Sequence, residues 1–442
     1  MRWRARRFAM SSGRRGVVGI AAGSAGGQLL ALAAAPLLTR LYRPADFGVL
    51  AVVAALVVTV GTVAALRFEM AVPLPEREED ARALVRLGLA AATGTAVLGT
   101  VVVLLTRDRV ASWFGQPELA HWLWVVPFSA AAMGVVLVLN QFAVRHRRYG
   151  AIGRRNLFQS LTVVVTQIVA GVTGLRPGGL ALGFGFGQLA AAAVLLRDVR
   201  RRGAIAARGD RRPPRLPAVA RRYRRFPLLL APSGLLNVLG TQLPVLLIAS
   251  WYGSAVAGWL GLTQRVIAVP AALVASAVAQ VYLGEVARIA REQPRRGRRV
   301  FLDASRRLAL IAGPGALLVL VGAPAAFNLV FGPQWDSSGA YAQALAVFMA
   351  AQIVVSPLSQ TLVVFERQAL QLAWDAGRVA VVAGAVSVVA LVGGSPLTAV
   401  WAFGVSGALA YGVGWLMALR VVTAAGRNLG SARSAPQLVA QS

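Results

Sequence analysis

Twelve apolar stretches run through this chain, at about 16–38, 47–66, 87–105, 122–143, 157–175, 178–196, 226–250, 255–284, 308–331, 339–365, 379–393 and 397–419. Nearly all meet or approach the ~20 apolar residues that a helix needs to cross a ~30 Å hydrocarbon layer. In lipid, backbone groups must be paired within a helix or around a closed barrel. Barrel strands alternate in polarity over ~10 residues, and these runs are too long and too continuously apolar for that. The expected fold is an all-α polytopic membrane protein with 12 transmembrane helices.

The arginines fix an orientation for those helices. All 46 basic residues are Arg. With the N-terminus in the cytoplasm, 40 of them fall in inner segments. Only Arg40, Arg43, Arg107, Arg109 and Arg176 fall in outer loops, and Arg265 alone lies inside a stretch. Arg-rich short loops stay cytoplasmic, so both termini are expected there. The net charge of +30 would suggest nucleic acid. Here no soluble domain presents the charge, so no nucleic-acid partner is expected, and membrane lipid with anionic headgroups is the expected contact. The absence of Cys removes thiol and disulfide chemistry. The Arg cluster before Gly16 resembles the start of a signal peptide, but the run from Gly16 to Leu38 is too long for one, and an uncleaved first helix is expected.

The longest hydrophilic stretch, 197–225, holds twelve Arg with Pro213, Pro214 and Pro217. It divides the chain into a lobe of six spans at 1–196 and a second at 226–423, followed by a polar tail at 424–442 that reads as disordered. The stretch serves either as a cytoplasmic anchor or as a docking site for partner enzymes. The halves look duplicated. Tyr42, Ala45 and Gly48 recur as Tyr252, Ala255 and Gly258 at an offset of 210, and Phe114-Gly115 recurs as Phe331-Gly332. Six spans per repeat gives both halves the same orientation, one common transporter plan. The segment Glu76–Arg86 reads as a short amphipathic helix on the cytoplasmic surface. The loop Glu285–Arg307 reads as an anchor.

Arg265 is the sharpest chemical signal. It lies about ten residues into its span, so ~15 Å deep. A cation at that depth faces a wet cavity or a partner. It either meets an anionic substrate group or locks two helices together. Gly261, Ala268 and Ala272 leave room on its face, and Pro270 permits a bend. Arg40 either snorkels to the outer interface or lines a cavity mouth. Arg67 and Glu69 form a local pair, or Arg67 binds an anion. Asn237, Gln242 and Gln28 are polar residues within spans, and such residues serve as packing glue or line a cavity. No Asp or Glu falls within a stretch, which argues against an intramembrane carboxylate as a coupling site. His121 and His146 sit at helix ends. There is no nucleotide-binding loop, metal-ligand cluster or catalytic triad, so no cofactor or enzymatic activity is expected.

The stretches PLLTRLYRPADFGVLAV (Pro36–Val52), LRFEMAVPLPEREEDA (Leu66–Ala81), Phe226–Gly253 and Ala257–Arg288 resemble the O-antigen and polysaccharide flippases of Wzx type. These belong to the multidrug/oligosaccharidyl-lipid/polysaccharide (MOP) exporter superfamily. The resemblance covers nearly the whole chain, and LTRLY-x-P-x-DFG is its most specific motif. It implies two six-helix lobes in a V, MATE-like, working by alternating access in the bacterial inner membrane. The implied cargo is an undecaprenyl-diphosphate-linked glycan, with polysaccharide polymerase or ligase as candidate partners. It implies that Arg265, Arg40 and Arg67 meet the diphosphate, which guanidinium binds in bidentate fashion. Asn237, Gln242 and Gln28 are then candidates for the sugar. The rival reading is a multidrug efflux antiporter of the same superfamily. Such a pump for cationic drugs needs acids within the membrane, whereas this sequence offers a base.

Overall fold

The computed structural model describes residues 23–201, 216–267, 282, 286, 296–365 and 367–433. Among these, every regular element is helical. The helices are α1 (residues 23–41), α2 (Pro44–Val63), α3 (Glu78–Trp113), α4 (Val125–Arg145), α5 (Tyr149–Val172), α6 (Gly178–Arg201), the short α7 (Leu216–Arg222), α8 (Ala231–Tyr252), α9 (residues 254–267), α10 (Gly297–Phe331), α11 (Asp336–Leu358), the short α12 (Gln360–Val364), α13 (Gln368–Leu391) and α14 (Pro396–Arg433). Nine spans among the described residues are long and apolar enough to cross a membrane. Helices α1, α5 and α9 occupy three further apolar stretches. The protein is an all-α polytopic membrane protein.

The helices start and stop where the sequence supplies the chemistry. At α2, Pro44 takes the first helical position, where its missing N–H costs nothing. The Asp46 carboxylate accepts a 2.7 Å hydrogen bond from the Arg43 backbone N–H, closing the helix start. Just before it, Tyr42 is buried and its hydroxyl donates to the Gln167 carbonyl at 2.7 Å. Burial, chiefly, pushes that phenol up to about 12. The motif Tyr-x-Pro-x-Asp thus ties the α1–α2 corner to α5. Gln167 Nε2 donates on to the Leu180 carbonyl of α6 at 3.1 Å, which makes it packing glue between helices.

Some helices outrun their apolar stretches. Glu76–Arg86 does not form a separate surface helix, because α3 continues from Glu78 to Trp113 without a break. Charged residues with high helix propensity extend the span rather than end it. Likewise α10 takes up residues from Gly297 onward, α14 continues to Arg433, and α13 begins at Gln368. The last of these carries Asp375 and Arg378 into a candidate span, Ala369–Leu391. Acid within a span is therefore present, contrary to the sequence expectation. Residues 202–215 of the Arg-rich connector, the N-terminal Arg cluster, and Ala268, Pro270 and Ala272 lie outside the described residues.

The chain packs as two compact units, one of residues 1–262 with 330–334, the other of 263–329 with 335–442. In the first, helices α3, α4 and α6 bury a core around Leu84, Leu139, Phe142 and Leu195, and Val219 of α7 joins it. The far end of the connector is therefore packed structure, held also by Arg222 at 3.7 Å from Asp80. In the second, Phe301, Leu308, Leu358 and Val422 form a core. The sequence repeat has a structural counterpart. α3 and α10 run for 36 and 35 residues and end at Gly115 and Gly332, both with positive φ. Inside the first unit, a Cβ on Gly48 would strike the Ser254 carbonyl, and one on Gly258 would strike the Pro44 carbonyl. Those four positions are pairwise 210 apart, so the repeats cross reciprocally through their equivalent glycines.

Candidate functional site

Arg67 sits in the connection between α2 and α3, in left-handed backbone conformation at φ +59°. Non-glycine residues rarely adopt that region, and here the conformation throws the side chain across to α8. The guanidinium lies against Gly234, where a Cβ would collide with it. Asn237 stands one turn further along α8 and is exposed, as are Ser233 and Thr241 on the same stripe. Arg67 keeps 20% of its side chain exposed, its Nη1 is 3.5 Å from Glu69 Oε1, and its Nε has no partner. Glu69 is buried, in a short 3-10 turn from Phe68 to Ala71 whose Phe68 and Ala71 enter the core.

The loop behind this pair is clamped. Arg145 of α4 donates to the carbonyls of Val72, Pro73 and Pro75 at 3.4, 3.2 and 2.7 Å. It also holds Glu78 at 3.2 Å, and His146 Nε2 lies 3.1 Å from the same carboxylate. His146 is thus part of the support of the α2–α3 connection, a role its place at a helix end does not predict. Arg145, one of the residues counted as an inner-loop charge, fixes the backbone that carries Arg67.

The remaining candidates are dispersed. Arg40 is exposed at the end of α1. It and Arg67 lie beyond opposite ends of α2, which at 1.5 Å per residue separates them by ~30 Å. They do not hold one diphosphate together. Gln28 is half-buried on α1 with Oε1 lacking a partner. Gln242 is half-buried on α8. Arg265 is half-buried as the twelfth residue of α9 and belongs to the second unit, whereas the other five candidates belong to the first. No hydrogen-bond or ion-pair partner of Arg265 occurs among the described residues.

The second unit holds a charged pair that sequence reasoning missed. Arg378 Nη2 is 3.3 Å from Asp375 Oδ1, and both side chains are almost fully buried. Arg378 Nη1 donates to the Tyr411 hydroxyl at 2.8 Å, and the Gln352 amide reaches the same hydroxyl at 3.2 Å. The guanidinium stacks on the Trp374 and Tyr411 rings at 5.0 and 5.5 Å. Gln371, Asp375 and Arg378 fall on one helical face, and that spacing is the signal that could have found them. The pair has no net charge and offers no isolated acid to a cationic solute.

The helical architecture is that of a polytopic membrane protein, with a half-buried base in an apolar helix and a second cation at a helix connection. Comparison with known proteins agrees. The family model described as "Polysaccharide biosynthesis protein" matches residues 37–340, and the chain belongs to that family. The teichuronic acid biosynthesis protein TuaB of Bacillus subtilis (strain 168) is 28% identical over 190 residues, 42% of this chain and 38% of TuaB. The match thus spans well under half the length of that relative. Lipid II flippase MurJ in an inward closed conformation shares the fold at TM-score 0.69 and 11% identity, covering 96% of this chain and 93% of MurJ. An inward-facing multidrug resistance MATE family transporter of the MOP superfamily also shares the fold, at TM-score 0.58 and 16% identity, covering 92% of this chain and 94% of that one.

Proposed function

We propose that this protein moves a diphosphate-linked lipid oligosaccharide from the inner to the outer leaflet of the bacterial cytoplasmic membrane, with both termini on the cytoplasmic side. It works as a transporter, not an enzyme, by alternating access of the lobes 1–196 and 226–423 about the connector 197–225. Membership of a polysaccharide biosynthesis family supports the pathway. The observation that carries the reading is Arg265, a half-buried base that lies in α9 within the apolar stretch 255–284. A diphosphate crossing hydrocarbon needs fixed cations, and a buried cation needs an anion. Arg67 and Arg40, ~30 Å apart, serve the diphosphate at successive stages rather than together. Asn237, Gln242 and Gln28 contact the sugar. Polymerase or ligase enzymes receive the product on the far side.

The test is a deletion strain complemented with wild type or Arg265→Ala at matched protein level, read by lipid extraction and mass spectrometry. Completed glycan on the carrier lipid should accumulate in the deletion, be cleared by wild type, and persist with Arg265→Ala. Arg265→Lys should clear part of it. Clearance by Arg265→Ala equal to wild type removes Arg265 from the path. No accumulation in the deletion removes the flippase reading and directs attention to drug efflux. Asp375, an acid that the structure places within a candidate span, is already neutralised by Arg378 and is not free to serve a cation.

A further inference from the structure

Glu69 is 2% exposed, yet its carboxylate is only partly satisfied. Oε1 stands 3.5 Å from Arg67 Nη1, and Oε2 has no partner. A charge-assisted hydrogen bond prefers ~2.8 Å, so the pair is long as well as incomplete. Arg67 in turn has a bare Nε and an open edge. Burial pushes the Glu69 carboxyl above its usual range, outweighing the downward pull of its own backbone N–H and of Arg67. The other charges near this turn are engaged elsewhere. Glu78 of α3 holds Arg82, Arg145 and His146, and Asp80 holds Arg222. Arg67 is the charged group that acts on Glu69.

We propose that Glu69 and the lipid diphosphate compete for the Arg67 guanidinium, so that Glu69 takes up a proton as the diphosphate binds and returns it as the diphosphate leaves. This rests on the assignment of Arg67 to the diphosphate. An anion arriving at Arg67 withdraws the cation that keeps Glu69 charged and adds like charge beside it. Both changes favour the neutral acid. Coupling between two ligands of one protein is reciprocal. Protonation of Glu69 therefore strengthens diphosphate binding by the same factor by which the diphosphate strengthens proton binding. The buried carboxylate then gives the transporter a proton-linked step at an acid that lies outside the candidate spans.

The experiment uses the full chain in nanodiscs with a prenyl diphospho-N-acetylglucosamine, a diester of constant charge between pH ~4 and ~8. Calorimetry in buffers of different ionisation enthalpy counts protons taken up. Wild type should take up protons on binding, and its affinity should rise by about tenfold or more on acidification across the Glu69 titration. Glu69→Gln should bind more tightly than wild type at neutral pH, with a flat pH profile and no proton uptake. Arg67→Gln should lose most binding. Wild-type affinity in Arg67→Gln overturns the assignment of Arg67 itself. Lost binding in Arg67→Gln with unchanged proton uptake in Glu69→Gln overturns the competition alone. Should Glu69→Gln fail to fold, absence of proton uptake by wild type overturns it equally.

Discussion

Arg378 carries a permanent charge inside α13, and everything it touches serves to hold that charge: Asp375, the Tyr411 hydroxyl and two aromatic faces. Removing one partner from a buried pair costs ~3–5 kcal/mol, whereas replacing both with apolar groups of similar size is nearly neutral. Asp375→Asn should therefore lower thermal stability in detergent by roughly that amount, and Asp375→Leu with Arg378→Met should recover most of it. Equal losses in the single and double variants would show that the two charges act independently. Glu69 makes a separate prediction through pH. Its folded carboxyl is raised above the unfolded one, so the folded state binds this proton first as pH falls, and the burden of the buried charge is felt at neutral pH and relieved in acid. Glu69→Gln should melt above wild type at neutral pH, and the gap should close on acidification. Arg265 and Arg67 stand out in the sequence as candidates because each interrupts or abuts an apolar run. Asp375 and Arg378 were not, because they precede the run 379–393 and read as loop. Their shared helical face is a weak signal beside that, and packing against Tyr411 of α14 is what shows them to be interior.

At the scale of elements, apolar centres were readable and helix ends were not. A 36-residue α3 is ~54 Å long, far more than the hydrocarbon layer requires. Its extra turns are built of Glu, Arg and Ala, which favour helix whether or not lipid surrounds them. The glycines were ambiguous in another way. Gly94 on α3 has open space around it, whereas Gly48 faces the Ser254 carbonyl. Gly94→Ala should be neutral or stabilise by up to ~1 kcal/mol. Gly48→Ala should destabilise by ~1–3 kcal/mol, the usual range for forced overpacking. Melting temperatures of the two variants side by side decide it, and a harmless Gly48→Ala would mean that α2 and α9 can slide apart. The reciprocal crossing of these helices could not be read from the sequence, although the residues that make it are the ones whose recurrence suggested duplication.

At the scale of the whole molecule, counting apolar runs and arginines is enough to give an all-helical membrane protein, because lipid allows the backbone so few solutions. The same count predicts sidedness. Single Cys residues at Ser112 and Ser337 should react with an impermeant maleimide from outside intact cells, and one at Ser431 should react only after permeabilisation. The native chain has no Cys to confuse the result. The reverse pattern would invert the topology and place Arg67 on the outer side. What the count could not give is the gathering of site residues. Arg67 is counted simply as an inner-side charge, yet its guanidinium lies against Gly234 of α8, 167 residues further along the chain.

The mutual approach of Gly48 and Gly258 also bears on ancestry. In a half-length chain pairing with a second copy about a two-fold axis, a single glycine would make both contacts, since each copy would offer it to the other. Fusion of the two copies turns that one residue into two, free to change separately, yet each still sits on the backbone of the opposite repeat. The two repeats of a fused chain can therefore diverge elsewhere while this crossing keeps the reciprocity that a symmetric dimer would have.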